Sequence, residues 1–528
     1  MPLRSCSLSV LCLSNRFFKL LTKSLFHHQR TNSIPNSPKN ASPSSLHTNG
    51  ILILPSQTLI FNFEGWLLKS SSAFPYFMVV AFEACSLFRS LLLLFLYPLV
   101  CCMKNEAGLK MMVLVCFFGV KKENLRVARV ALFKFFMEHI GEEEIKVLRS
   151  GRRRMGVSNM PKVMVESFLK DYMETEVVIG RELKEFCGFY TGFMDWKREE
   201  MIMVINGEDA LRFGSSFEDI HHKEVHRISE AEKSRLPPLP QEKYPKSLIF
   251  HDGRIAFLPT PSATLAMFLW LPFGVILSII RHIIGMFCPY SISIPIGALT
   301  GMVNRHNKNA AAELQPQQKI GLQTDTNCSK STRGRLFICN HRTLLDPVYI
   351  SVSLKKQVTA VVYSLSPISE ILSPIKTVRL TRNKEEDRKK MEKLLSHGDL
   401  VVCPEGTTCR EPYLLRFSPL FAELADQITP VALNVQVSMF YGTTACGFKW
   451  LDSFYFLMNP RPMYVVQFLD EISVVSAGKT RYSPCEVANR AQEEIGRCLG
   501  FECTMLTRKD KYQILAGNDG VMQKKQSI

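Results

Sequence analysis

The amino-acid sequence predicts an α/β fold: two α/β domains in series, accompanied by membrane-associated helices. Three observations carry that reading. From residue 335 onward, short apolar runs of strand length alternate with helical stretches, the pattern of a sheet covered by helices. A second strand-like run, residues 57–61, lies far upstream and ends in the turn Asn62-Phe63-Glu64-Gly65. Long charge-poor segments fall inside and after that upstream region. With 528 residues the chain has room for two or three domains with sizeable cores.

Residues 1–50 are basic and rich in Ser, Asn and Pro. They hold Arg4, Arg16, Lys19, Lys23, Arg30 and Lys39, whereas the first acidic residue of the chain is Glu64. This composition suits a transit-type targeting segment or a disordered tail. Residues 51–260 are expected to form the first α/β domain. Within it, residues 90–103 carry no charge over 14 positions, and 111–120 is a further apolar run. Together they predict a membrane hairpin near 86–120, although a straight span needs about 20 residues. Residues 265–280 contain Pro272 and Gly274 and are followed by Arg281-His282. They head an expected membrane-associated segment over 261–306. The polar stretch 307–334 reads as a linker. The second domain, 335–505, is expected to place strands near 336–340, 358–363, 376–381, 399–403, 429–434 and 463–468. Helices are expected near 347–355, 384–396 and 418–425. Residues 506–528 read as a mobile charged tail.

The formal net charge of +17 fits a surface that meets anionic lipid or phosphate-bearing ligands. The densest basic run is Arg149, Arg152, Arg153 and Arg154. No zinc finger, helix-turn-helix or RNP signature accompanies it, so a solvated loop or membrane-facing patch is expected rather than a nucleic-acid partner. The 16 cysteines are scattered, without zinc spacing or the framework of a short secreted domain. Reduced thiols on a cytosol-facing protein follow, with no metal expected.

Two motifs carry chemistry. Asn340-His341-Arg342-Thr343-Leu344-Leu345-Asp346 follows an apolar strand, and Asp346-Pro347 reads as an N-cap with Pro at the first helical position. In one continuous helix His341 and Asp346 would point about 140° apart. In a strand-to-helix loop that turns back, the carboxylate reaches the imidazole, fixes its tautomer and leaves the other nitrogen to accept a proton. The second motif, Pro404-Glu405-Gly406-Thr407, also follows a short apolar strand. Gly406 lets backbone N–H groups approach an anion, Thr407 adds a hydroxyl, and Arg410 and Arg416 add forked cations. Cys403 and Cys409 flank this turn, and the chemistry requires no role of them. A base, an orienter and an anion cradle suit acyl transfer to a phosphorylated alcohol.

The stretch resembles the glycerol-3-phosphate acyltransferases, and within them the land-plant enzymes that esterify the sn-2 hydroxyl. Four blocks match in order: His341 with Asp346; Thr377-Val378-Arg379-Leu380-Thr381-Arg382, with Arg382 as the equivalent arginine; Pro404 to Thr407; and Ile428-Thr429-Pro430-Val431-Ala432-Leu433. The resemblance covers most of residues 55–505. It implies that acyl-CoA is the co-substrate, that no cofactor is needed, and that Arg382, Glu405, Gly406 and Thr407 form the glycerol-phosphate site, with Arg410 and Arg416 added. Glu405 is awkward as a phosphate ligand because like charges repel, and is expected to hold an arginine or shape the turn. Upstream, Asn62-Phe63-Glu64-Gly65-Trp66 resembles the Asp-x-Asp-Gly-Thr opening of haloacid-dehalogenase-like phosphatases. Asn62 stands at the nucleophile position and its neutral amide cannot form an aspartyl phosphate. Glu64 stands at the acid/base position, one methylene longer. Ser158 matches the later Ser/Thr position, and no Gly-Asp-x-x-x-Asp occurs between 200 and 262. This half is therefore expected to be an inactive platform, in a protein of the endoplasmic reticulum or, alternatively, of mitochondria.

Overall fold

The computed structural model describes residues 58–70, 72–103, 105–151, 153–196, 210–213, 225–226, 239–240, 243–244, 250–306, 334–363, 366–445, 448–475 and 481–517. The expected targeting segment and linker, like residues 518–528, lie outside the described residues. The chain forms two compact units, Met1–Phe268 and Leu269–Ile528.

The first unit is built on strands β1 (Thr58–Asn62), β2 (Arg153–Pro161), β3 (Val177–Phe186), β4 (Phe189–Asp195), β5 (Ala210–Phe213) and β6 (Val225–His226), in the order β4-β3-β2-β1-β5-β6. Every neighbouring pair is parallel except β3 and β4. β1 lies in the middle and is buried from Leu59 onward, which explains its unbroken apolar reading. Around it run α1 (Phe74–Val80), α2 (Leu87–Cys102), α3 (Asn105–Phe117), α4 (Leu125–Glu138), α5 (Glu142–Ser150) and α6 (Lys162–Met173). Phe63 packs edge-on to Phe136, which meets Phe168, which stacks on Tyr172. The basic run proves to be structural in part: Arg153 and Arg154 open β2, and Arg154 donates to the Met173 carbonyl and to Glu174.

Where the membrane hairpin was expected, the chain forms two packed helices, α2 and α3, and neither has the length of a span. At 16 residues α2 is only about 24 Å long, short of a hydrocarbon core of about 30 Å. It exposes Phe88, Leu91, Leu92, Phe95 and Leu99. α3, by contrast, buries Leu109, Met112, Val113, Cys116 and Phe117, and it packs on β4 and α1.

The second unit carries an eight-stranded sheet of β7 (Val303–His306), β8 (Leu336–Cys339), β9 (Thr359–Val362), β10 (Lys376–Arg379), β11 (Leu400–Val402), β13 (Gln427–Gln436), β14 (Met463–Phe468) and β15 (Ile472–Ser473). Its main order is β10-β9-β11-β8-β13-β14-β7, with β15 paired to β13; a separate ladder joins β12 (Tyr413–Leu414) to β16 (Glu502–Cys503). β8 is fully buried between parallel neighbours β11 and β13. Ligands gather at the carboxyl ends of such strands, so β8 and β11 deliver both chemical motifs to one edge.

The helices are α7 (Pro261–Phe287, shared with the first unit), α8 (Tyr290–Leu299), α9 (Asp346–Leu354), α10 (Pro367–Ile371), α11 (Lys384–Leu395), α12 (Asp452–Leu457), α13 (Pro484–Leu499) and α14 (Arg508–Ala516). The expected helix near 418–425 is a 3₁₀ turn, Pro419–Glu423. α13 starts with a capping box between Ser483 and Glu486 and ends at Gly500 in the left-handed region. Its Val487, Ala488, Ala491 and Ile495 join the core with Leu336, Ile338 and Ile428.

Two further expectations are corrected. α7 is one continuous helix through Arg281 and His282, about 40 Å long, and among the described residues it alone is long and apolar enough to cross a membrane. Within the second unit the polar side chains are met: Arg281 donates to the carbonyls of Leu457 (2.6 Å) and Asn459 (2.7 Å), and His282 Nε2 lies 3.2 Å from Ser453 Oγ. Within the expected mobile tail, residues 508–516 form α14. α14 buries Lys511, Tyr512 and Leu515 because Lys511 Nζ donates to the Thr408 carbonyl.

Candidate active site

β8 ends at Cys339, and the chain turns back before α9. Asn340 fixes that turn: its amide donates to the Leu433 carbonyl (2.9 Å) and its oxygen accepts from the Leu433 N–H (2.8 Å), tying the end of β8 to β13. Asp346 then meets His341, with Oδ2 2.8 Å from Nδ1. Asp346 is 0% exposed, and a buried carboxylate needs donors. It has them: Arg342 N–H (2.6 Å), Thr343 N–H (3.1 Å) and the Tyr464 hydroxyl (2.6 Å). Asp346 is the first residue of α9 rather than its N-cap, which is Leu345 without a side-chain cap. The carboxylate serves the loop that precedes the helix, because that loop's amides and the imidazole reach it first.

Burial alone would lower the pKa of His341. Cys403 and Asp346 outweigh it and hold the imidazolium well above its ordinary value. Cys403 Sγ, a ring nitrogen of His341 and an Asp346 oxygen lie within 4.8 Å of one another. The spacing would admit a cation, but the Asp346 oxygens already accept from four donors. The sulfur must stand on the Asp346 side of the ring, because a group bonded to the far nitrogen would lie across the imidazole from the carboxylate. The His341 side chain is 16% exposed.

The turn after β11 is clamped to this loop. Glu405 Oε1 accepts the His341 N–H at 2.7 Å, and Oε2 accepts the Leu415 N–H at 3.1 Å. Burial pushes the Glu405 carboxyl up to about 7 against those two amides. Both Glu405 oxygens are engaged by backbone amides, in keeping with the expected turn-shaping role. Cys409 N–H donates to the His341 carbonyl at 2.7 Å. Arg342 donates to the carbonyls of Cys409 (2.8 Å), Arg410 (2.7 Å) and Glu411 (2.6 Å).

Gly406 is exposed at the tip with φ +65°, the left-handed region that glycine enters without strain. Thr407 is buried and bonds the Tyr512 phenol. Arg410 donates to the Thr443 carbonyl and lies 4.2 Å over the Tyr441 ring. Arg382 and Arg416 are exposed. Arg382 follows β10 on the same sheet edge, with β9 and β11 between it and β8, and its φ of +72° is braced by an N–H to Asp387 (2.9 Å). Arg416 follows β12, its N–H on the Leu506 carbonyl. Sequence reasoning missed Tyr464, Arg342 and Lys511. Arg342, inside the first motif, carried the nearest signal.

In the first unit Asn62 closes β1 and accepts from the Gly65 N–H. Glu64 accepts from Ser158 Oγ (2.5 Å), Met160 N–H (3.0 Å) and Asn159 N–H (3.3 Å). Burial raises its pKa, and these donors lower it only in part.

A histidine held by a buried carboxylate, facing a glycine turn at the carboxyl ends of two parallel strands, defines an α/β acyltransferase. Residues 319–438 match the acyltransferase family model, and residues 58–236 match the glycerol-3-phosphate acyltransferase RAM2-like, HAD-like domain. The chain is 50% identical to the probable glycerol-3-phosphate acyltransferase 2 of Arabidopsis thaliana, over 89% of this chain and 91% of that one. It is 43% identical to glycerol-3-phosphate acyltransferase 1 of Arabidopsis thaliana, covering 88% and 82%. It is 39% identical to glycerol-3-phosphate acyltransferase RAM2 of Petunia hybrida, covering 88% and 98%. The chain belongs to the plant glycerol-3-phosphate acyltransferase family.

Proposed function

We propose that the protein transfers an acyl group from acyl-CoA to the sn-2 hydroxyl of glycerol-3-phosphate, giving lysophosphatidic acid for cutin, suberin or membrane glycerolipid synthesis. The observation that carries this is the 2.8 Å contact between His341 Nδ1 and Asp346, which leaves Nε2 to take a proton. The hydroxyl gives its proton to Nε2 and its oxygen attacks the thioester carbonyl. The tetrahedral intermediate collapses, the C–S bond breaks, and the CoA thiolate leaves. No protein nucleophile and no cofactor enter this scheme. Asp346 stabilises the imidazolium formed on the way, and such base catalysis is worth about 10²–10⁴-fold. Gly406 at the turn tip, with Arg382, Arg410 and Arg416, supplies the donors and charge that suit a phosphate.

The exposed apolar side of α7, with Leu269, Phe273, Ile276, Ile279, Ile283 and Phe287, supports a membrane location. An endoplasmic reticulum site facing the cytosol is the preferred reading, and mitochondria are the alternative. Asn62 in place of a nucleophilic Asp, with Glu64 turned onto Ser158, favours an acyltransferase that stops at the phosphorylated product. The test is His341→Ala in membranes supplied with labelled glycerol-3-phosphate and acyl-CoA. Label in lysophosphatidic acid is expected to vanish while the protein stays folded; near-normal labelling would remove the mechanism. Positional analysis of the wild-type product decides sn-2 against sn-1.

A further inference from the structure

We infer that Cys403 is an oxidant-sensitive modification site beside the acyl-transfer centre, and that its oxidised product is a disulfide with Cys339 that switches the centre off. Cys339 ends β8, and Cys403 directly follows its parallel neighbour β11. β11 and β8 pair Leu400 with Leu336, Val401 with Phe337 and Val402 with Ile338, so the next step in register sets Cys403 beside Cys339. Their sulfurs lie 3.5 Å apart. A bond of about 2.05 Å requires a closure of roughly 1.5 Å, within reach of side-chain adjustment.

The two thiols have different surroundings. Cys339 is buried and Cys403 is half-buried, so a reagent from solvent meets Cys403 first. The Cys339 S–H and the neighbouring His341 bring the Cys403 pKa down to about 6 in spite of burial. The same contact, reinforced by burial, pushes Cys339 well up. Cys403 is thus the thiolate that reacts, and Cys339 is the partner that resolves the product.

With hydrogen peroxide as oxidant, the Cys403 thiolate attacks one oxygen and the O–O bond breaks. Hydroxide leaves, becoming water with one proton, and the sulfur becomes a sulfenic acid. Cys339, giving up its proton, displaces the hydroxyl from that sulfur, and a second water departs. Two thiols and one peroxide give one disulfide and two waters. An added dithiol exchanges with the disulfide, returning both cysteines to thiols and becoming a cyclic disulfide itself.

The consequence for catalysis rests on the proposed role of His341. Drawing the sulfur toward Cys339 moves it from the cluster it shares with His341 and Asp346. The same shift pulls on Pro404 and Glu405, whose carboxylate fixes the His341 N–H at 2.7 Å. A base displaced from its aligned position loses much of its rate advantage.

The experiment uses the full chain in its membrane, reduced, exposed to graded hydrogen peroxide and then alkylated. Mass spectrometry of non-reduced peptides reads the chemistry independently of activity. The expected result is a Cys339–Cys403 linked peptide whose yield tracks a loss of acyl transfer of roughly 10²-fold, both reversed by dithiothreitol. Cys339→Ala is expected to keep basal activity and form no linked peptide. Absence of the linked peptide when Cys403 is fully oxidised overturns the inference, as does a linked enzyme with full activity. Should Cys339→Ala fold poorly, Cys339→Ser serves the same comparison. If His341→Ala leaves activity intact while the linked peptide still forms, the catalytic reading fails and the thiol chemistry stands.

Discussion

Replacing Tyr464 by Phe removes one oxygen from the least exposed part of the site. The Tyr464 hydroxyl donates to Asp346 Oδ1 at 2.6 Å and also meets Thr343 Oγ1. The ring stays in place through its stacking on Tyr349, with centroids 3.7 Å apart, so packing is preserved while a single donor is lost. A hydrogen bond to a charged group is worth about 1.5–3 kcal/mol, and the variant should be destabilised by that amount. Chemical denaturation of the wild type and variant measures it. Catalysis should respond in a second, separable way. Asp346, with one donor fewer, holds its negative charge less dispersed and binds the His341 imidazolium more strongly. The base then deprotonates at higher pH, and the acid limb of the pH–rate profile moves upward. A variant with unchanged denaturation midpoint and an unmoved acid limb would refute the claim that Tyr464 tunes the carboxylate.

Three further expectations follow from contacts away from the reacting atoms. Lys511→Met removes the buried ammonium that holds the Thr408 carbonyl; it should lower the thermal midpoint and raise the KM for glycerol-3-phosphate, and an unaltered KM would detach α14 from the site. Glu83 is half-buried and accepts the Arg254 and Ile255 N–H groups through one oxygen, and loss of solvent around the carboxyl pushes it from 4.5 to about 7. Because the folded value is the higher, its contribution is complete below pH 4.5 and is lost as pH rises through 7, by at most about 3 kcal/mol; Glu83→Gln keeps the accepting oxygen and should flatten stability over that window, as urea titrations at several pH values would show. Purified protein should release no phosphate from lysophosphatidic acid with or without Mg²⁺, and measurable Mg²⁺-dependent release would restore the upstream half to catalysis.

Much of the second domain was legible because its strands are buried on both faces and its chemical residues sit at strand ends. β8, β9, β10, β11 and β14 fall within the expected stretches, β13 overruns its stretch by two residues at each end, and α11 begins where Asn383 caps it. The meeting of His341 with Asp346 was legible from spacing and a turn. Tyr464 was not, since it lies 118 residues from Asp346 and reads only as one buried position in an alternating strand. α13 carried its own start and stop signals in Ser483-Pro484-Cys485-Glu486 and Gly500, which a helix count limited to the catalytic motifs passed over. Arg281 and His282 interrupt the apolar run in the sequence, yet the helix continues through them because carbonyls from residues 457–460, distant in sequence, satisfy the guanidinium. The roles of Glu405 and Lys511 depend on backbone groups, which no side-chain pattern announces.

The Glu64 carboxylate has a consequence for how the upstream domain could change. Its three donors come from one short run, Ser158 to Met160, at the carboxyl end of β2, and they converge on a single anion that the chain itself supplies. An aspartate placed at position 62 would face a seat that Glu64 already occupies. Phosphate chemistry there would require at least two coordinated changes, and the first to occur alone has nothing to act on. A lock of that kind lets the domain keep its shape while phosphate chemistry at this position stays out of reach of single substitutions.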